Sequence, residues 1–387
     1  MGAAARNIFS YPKVHTYIQN IFAEDMHAKR VESLANATVG VMTSASLAIH
    51  IIGQGLAESK GLSTKHSIKQ VDRLLSNSNI NLATAFSCWV PHILKSYGAT
   101  IKVIIDWTDF DKSGHTTLML SLATSTGRSI PLMWKSIEKD ELKGQQKEIE
   151  KQMLIGLKSV LPPEYKVTVL ADRGFADQNL YDLMGQLDFN FVFRFRQNTY
   201  LTLQDGEECQ TVELIKVGGR AKVLREVGVS RSEYLAETVV LVWDKGMKEP
   251  WCLVSNIKDA KPRELINDYA KRWGTEALFR DNKDIRFGFG MSAIKIKDVV
   301  RRDKLFLLGA IAMMLLSMLG AAGEAVGLDR HLKANTSKKR TLSLIRQGTM
   351  WYGLLPNMPK DRMKLLINQF KKMLNDTMFF RDFFCYV

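Results

Sequence analysis

Residues 305–322 read LFLLGAIAMMLLSMLGAA, a run without a single charge. A helix of that composition has no polar face to turn toward water, so other matter must surround it on every side: lipid, or the remaining elements of a large core. The length is close to the shortest that crosses a bilayer. It is the only such run in the chain, and charged segments flank it at both ends. We read it as a central core helix and expect no membrane partner. The chain has 387 residues, 46% hydrophobic and 24% charged, which is enough apolar material for such a core. Its length suits two or three domains.

Periodicity divides the rest. Over 14–98, apolar residues recur three and four apart, the helical spacing. In LSTKHSIKQVDRLL (62–75), Ile68, Val71 and Leu75 make an apolar stripe, and Lys65, Lys69 and Arg73 fall four apart on another face. Ser63 or Thr64 is placed to cap its start. From 99 the pattern becomes strand-like. ATIKVIIDWTDFD (99–111) is β-branched and ends in acids, and TTLMLSLATS and RSIPLMWKSI flank a turn at Thr126-Gly127. KVTVLADRGF (166–175) reads as a buried strand, 176–187 as a helix and FNFVFRFRQN (189–198) as another strand. In 199–258 the pieces TVELI, AKVLREVGVS, TVVLVWD and WCLVSNI read as short strands, a β-rich insertion; from about 260 onward the chain is mainly helical. The expected class is α/β, a mixed sheet covered by helices. The expected segments are 1–98, a helical N-terminal region; 99–198, the first part of a core; 199–258, the insertion; and 259–387, the second part with C-terminal helices.

Lysine and arginine number 54 against 40 acids, a formal net charge of +14. Such an excess points to a polyanionic partner, since each cation placed near a phosphate releases condensed counterions. The four cysteines (Cys88, Cys209, Cys252, Cys385) are scattered and make no zinc-ligand spacing with histidine, which fits a reducing compartment. The stretch MGAAARNIFSYPKVH carries no apolar signal core, so secretion is not expected.

Three acids stand out. Asp106 follows the apolar run IKVII, and Asp172 follows VTVLA. An acid at a strand end sits on the rim of a sheet, where ligands reach it, and two such acids could share a magnesium ion, which prefers hard oxygen donors. Either one alone is more commonly a cap or turn residue. Asp109, Asp111 and Asp177 are rivals that do not directly end the apolar runs. The third acid lies in ELINDYAKRWGTEALFRDNK (264–283), where Tyr269, Arg272, Glu276 and Lys283 have the spacing Y-x2-R-x3-E-x6-K. On one continuous helix they fall at roughly 0°, 300°, 340° and 320°, a single stripe. Such a stripe suits a metal-bound carboxylate flanked by phosphate-binding groups, or equally a solvated face with an Arg272–Glu276 ion pair.

That spacing resembles the signature of the IS-four family of bacterial insertion-sequence transposases. DWTD (106–109), ADRGF (171–175), KEPW (248–251) and YAKRWGTEALFRDNK (269–283) resemble the family's blocks in their order, and KANTSKKRTLSLIRQG (333–348) resembles the IS-ten, Tn-five-like branch. The similarity covers about residues 60–350. It implies an RNase H-like catalytic core with a DDE triad of Asp106, Asp172 and Glu276. Magnesium would be the cofactor, with manganese as the substitute. It implies DNA contacts by Tyr269, Arg272, Lys283 and Arg173, and stacking of Trp251 on a flipped base. The resemblance further implies cleavage at terminal inverted repeats, a hairpin intermediate, strand transfer into target DNA, and a homodimer on double-stranded DNA at the bacterial nucleoid in the cytoplasm. Lys65, Lys69 and Arg73 are then expected to bind the inverted repeat. The rivals are an RNase H-like nuclease without strand transfer and an inactive DNA-binding derivative.

Overall fold

The computed structural model describes residues 11–231, 234–375, 381, 384 and 385. The first ten positions of the stretch read for a secretion signal lie outside the described residues. Helices come first: α1 (Tyr11–Phe22), α2 (Ala28–Ser44), α3 (Ile49–Lys60), α4 (Thr64–Ser76) and α5 (Leu82–Leu94). Asn81 caps α5, its side-chain oxygen accepting from the Ala83 and Thr84 amides. Buried Trp89 on α5 donates its indole N–H to the Pro131 carbonyl at 2.8 Å and so fastens this helical region to the sheet.

The strands are β1 (Thr100–Phe110), β2 (His115–Ala123), β3 (Ser129–Glu138), β4 (Lys166–Ala171), β5 (Asn190–Phe195), β6 (Tyr200–Thr202), β7 (Glu208–Gln210), β8 (Lys222–Val229), β9 (Tyr234–Val242) and β10 (Trp251–Ser255). They form one mixed sheet in the order β3-β2-β1-β4-β5-β10-β9-β8-β6-β7. β1, β4 and β5 run parallel at its centre, and antiparallel strands extend it on both sides. The strands within 199–258 therefore lengthen the same sheet. Between them lie α6 (Gln146–Val160) and α7 (Gln178–Gln186), followed by α8 (Pro262–Ala270), α9 (Trp273–Lys283), α10 (Val299–Ala325), α11 (Leu344–Leu354) and α12 (Lys360–Asn375).

The expected mixed sheet with covering helices is what forms. The β2–β3 hairpin turns at Gly127, whose φ of 76° suits a residue without a Cβ. Two local expectations are corrected. Asp106 does not end its strand: β1 continues to Phe110 because β2 goes on pairing with it, Asp106 opposite Met119. TVELI is not a strand. Residues Thr211–Leu214 form a 3-10 turn, since both the amide and the hydroxyl of Thr211 are taken by the Thr199 carbonyl.

The uncharged run belongs to α10. By length and composition α10 is the one described helix that could cross a membrane, yet 94% of its apolar window is buried against the protein. It lies among α2, α11, α12 and β3. Contact with α11 is backbone to backbone: a Cβ on Gly320 would stand 2.0 Å from the Leu344 carbonyl oxygen, and one on Gly348 would stand 1.8 Å from that of Leu316.

Candidate active site

Register decides what meets at the sheet rim. Across the parallel centre, Ile105 on β1 is level with Ala171 on β4, and Ala171 is level with Phe193 on β5. The next residue along each strand direction is Asp106, Asp172 and Arg194. Side chains alternate between faces. Ile105, Ala171 and Phe193 belong to the core that contains α10, while Ile104, Leu170 and Val192 pack on the opposite face with Leu265 and Tyr269 of α8. Asp106, Asp172 and Arg194 therefore emerge on the α8 side, neighbours across adjacent strands. Trp251 and Leu253 on β10 share that side.

Two helices bring the remaining groups. α8 is tied to β1 by Asp268, which pairs with Lys102 and also with Lys271. α9 is tied to β2 and β3 through Thr275, whose hydroxyl bonds Ser121 at 2.8 Å and Ser129 at 3.2 Å. Gly274 permits this approach, since a Cβ there would already crowd the Ser129 amide at 3.2 Å. Between the helices the chain tightens. The amides of Lys271, Arg272, Gly274 and Thr275 each bond the carbonyl three residues back. The single continuous helix expected over 264–283 is thus two helices joined by a turn at 271–272, which lets each follow its own part of the twisted sheet.

At that turn Arg272 joins two of the acids. Its guanidinium donates to Asp106 Oδ2 at 3.2 Å and to Glu276 Oε1 at 2.9 Å. The arginine side chain is only 8% exposed and that of Asp106 19%, whereas Glu276 is 43% exposed. Tyr269 donates its hydroxyl toward Asp172 Oδ1 at 3.4 Å, and Asp172 also accepts from the Arg173 amide at 2.6 Å. Burial pushes the Asp106 carboxyl up to about 6. Arg272 and the Trp107 amide pull it down, while the charges of Asp172 and Glu276 raise it. Burial, and then the Asp172 charge, pushes the Tyr269 phenol up to about 12. Asp106 therefore feels the charges of both other acids.

Of the rest of the anticipated set, Trp251 and Arg173 stay beside the rim, and Lys283 is carried away from it. Lys283 lies at the far end of α9, seven residues or about 10 Å beyond Glu276, with its ammonium 4.9 Å from the Phe110 ring centre. Asp109 and Asp111 pair with Lys139, away from Asp172. Trp251 meets the Tyr269 ring edge-on at 4.8 Å and is half-buried. Arg173 is half-exposed and pairs with Glu249. Lys65, Lys69 and Arg73 are exposed on α4, and Lys69 and Arg73 line a cleft of about 610 Å³ with Ser33, His66 and Gln70.

Among the described residues, no group of three or more His, Cys, Asp or Glu is set closely enough to hold a metal ion. The expected shared grip of three carboxylates is not assembled here, because the Arg272 guanidinium spans two of them. The donor chemistry nonetheless suits a hard divalent cation: Asp106 and Asp172 offer carboxylate oxygens from adjacent strands, and Glu276, being exposed, is free to turn. Sequence reasoning overlooked Arg194 and Glu249. The available signal was a cation inside the otherwise apolar strand NFVFRF.

The chain matches a family model described as Transposase DDE domain over residues 99–315, more than half its length and inclusive of all three acids. No curated protein matches it.

Proposed function

The chain belongs to the transposase DDE domain family, and from that premise we propose that it is a DNA transposase that uses Asp106, Asp172 and Glu276 to cleave transposon ends and join them to target DNA. The observation that carries the reading is the convergence at one rim: two aspartates made neighbours by parallel register, and a glutamate linked to the first through Arg272. The finer placement in the IS-four family, IS-ten branch, rests on the spacing of Tyr269, Arg272, Glu276 and Lys283.

A divalent cation, magnesium or manganese, held by Asp106, Asp172 and Glu276 would neutralise charge on the phosphodiester and favour the attacking oxygen. The residues of the chain supply position and charge. Arg272, released from Glu276, is placed to bind a phosphate oxygen beside Asp106. Tyr269 orients Asp172 and closes one side of the rim with Trp251, and Trp251 is proposed to stack on a base drawn out of the duplex. Hydrolysis first frees a 3′-hydroxyl, which then attacks phosphorus itself. Both are in-line displacements that one site serves, and a hairpin intermediate is the proposed excision route. No covalent bond to the protein is required.

DNA approach is favoured by the net charge of +14. α3 and α4 are separated by three residues, with Gly61 in the left-handed conformation. A connection of this length suits a helix-turn-helix, and α4 with Lys65, Lys69 and Arg73 is the proposed reading helix for the terminal repeat. Two protomers acting on paired ends complete the proposal. The test is cleavage of a duplex carrying the element's terminal sequence, wild type against Glu276→Gln. The variant is expected to bind and not cut, and equal cutting by both proteins rejects the assignment. Recovery of 3′-ends joined into a second DNA separates transposition from simple hydrolysis.

A further inference from the structure

Next to the acids lies a cleft of about 250 Å³ that the proposed chemistry leaves without a task. Its polar lining is Arg173, Arg194, Arg196, Gln197, Asn198 and Glu249. Three arginines face one glutamate, so the cleft carries a surplus of two positive charges. Arg194 stands one strand from Asp172, about 4.8 Å across the ladder. Its side chain is 11% exposed. One guanidinium nitrogen donates to Glu249 Oε1 at 2.8 Å and to the Pro250 carbonyl at 3.0 Å. Its Nε is buried with no hydrogen-bond partner among the described residues. The other oxygen of Glu249 takes Arg173 at 3.0 Å.

One carboxylate thus offers one oxygen to each of two guanidiniums. A phosphodiester presents the same charge and the same pair of acceptor oxygens. The two ends of this clamp differ in freedom. Arg194 is fixed in the sheet and buried, so leaving it without an anion would be costly. Glu249 is 43% exposed and loses little by turning into water. We propose that this cleft is a phosphate-binding subsite for the DNA strand leaving the acids, and that Glu249 holds it as a stand-in until a backbone phosphate takes its place on Arg194 and Arg173. The exchange substitutes one anion for another and never strands the buried guanidinium. Gln197 and Asn198 supply further donors for the incoming phosphate. The proposal rests on the reading that DNA is the substrate.

The experiment is fluorescence anisotropy in EDTA with a labelled duplex of the DNA flanking the coding sequence, titrated at several salt concentrations. Glu249→Gln is expected to tighten binding about tenfold. Arg194→Gln is expected to weaken it about tenfold and to lower the slope of log affinity against log salt by about one, the effect of one lost phosphate contact. The double variant Glu249→Gln, Arg194→Gln is expected to lose the gain. Half-exposed Arg173→Gln repeats the loss on a residue whose removal leaves the core intact, and melting curves confirm that each variant is folded. A Glu249→Gln protein that binds no tighter than wild type overturns the subsite. So does a gain that survives in the double variant, since it then reflects net charge alone. In both cases wild-type binding leaves the DNA reading standing. A wild-type protein that does not bind the duplex at all overturns both.

Discussion

Arg272 holds Asp106 and Glu276 together, so replacing it with glutamine, which keeps hydrogen-bonding capacity and removes the charge, tests whether these acids form a unit. Breaking a buried ion pair costs about 3–5 kcal/mol when the partner is left charged and unpaired. Only half of this arrangement is buried. Asp106 is 19% exposed and Glu276 43%, so water screens the glutamate and its share shrinks to about 0.5 kcal/mol. Asp106 keeps the bond from the Trp107 amide, which reduces its share to about 2 kcal/mol. The sum is roughly 2–3 kcal/mol of lost stability at pH 8. The assay is thermal melting by circular dichroism in EDTA and again in millimolar magnesium. The variant is expected to melt several degrees below wild type in EDTA. Magnesium is expected to recover more of that loss in the variant than it adds to wild type, because the released carboxylates become ligands. A variant that melts with wild type in EDTA would refute the claim that Arg272 neutralises the acids. Magnesium that leaves both curves unmoved would refute the claim that the rim accepts a hard cation.

Asp303 on α10 is held up at about 7, by burial above all, although Ser136 and Arg302 pull it down. A carboxyl whose folded pKa exceeds its unfolded value takes up a proton on folding. Its contribution is present at low pH and fades as pH rises from about 4 toward 7. Between pH 5 and 8 this group removes about 2.5 kcal/mol, and Asp303→Asn is expected to flatten that decline in urea melts. Gly348→Ala, with its Cβ 1.8 Å from the Leu316 carbonyl oxygen, is expected to destabilise by at least about 2 kcal/mol, checked by urea denaturation. Replacing exposed Lys69 and Arg73 one at a time by glutamine is expected to reduce the salt slope of duplex binding by about one each while leaving the melting temperature unchanged. A drop in melting temperature would assign these residues to the fold.

Residues whose neighbours are local were readable from the chain, and residues whose neighbours come from distant strands were not. The hairpin around Gly127 shows in the apolar runs and the turn residue between them. The uncharged run of α10 demanded burial on all sides, and the sheet, α2 and α11 supply it. The run IKVII, by contrast, ends at Asp106 in composition but not in backbone, because pairing with β2 continues through Asp106, Thr108 and Asp109. TVELI has strand-like residues, yet one threonine bonded to Thr199 turns it into a 3-10 segment. A uniform helical period placed Tyr269 through Lys283 on one stripe. Anchoring at Asp268 and again at Thr275 breaks that period, and it leaves Lys283 beside Phe110. Arg194 and Glu249 lie 55 positions apart in the chain. Only the β5–β10 pairing brings their segments together.

The turn at 271–272 divides the rim into a fixed jaw and an adjustable one. Asp106 and Asp172 are set by hydrogen-bonded strands, so their separation is as stiff as the sheet. Glu276 rides on α9, which is held by Thr275, by buried Leu278 and by the Asp281–Arg128 ion pair, but its own side chain is 43% exposed. Any change in the gap between the acids therefore comes from the Glu276 side chain turning, and Arg272, whose guanidinium reaches both jaws, has to let go of it first.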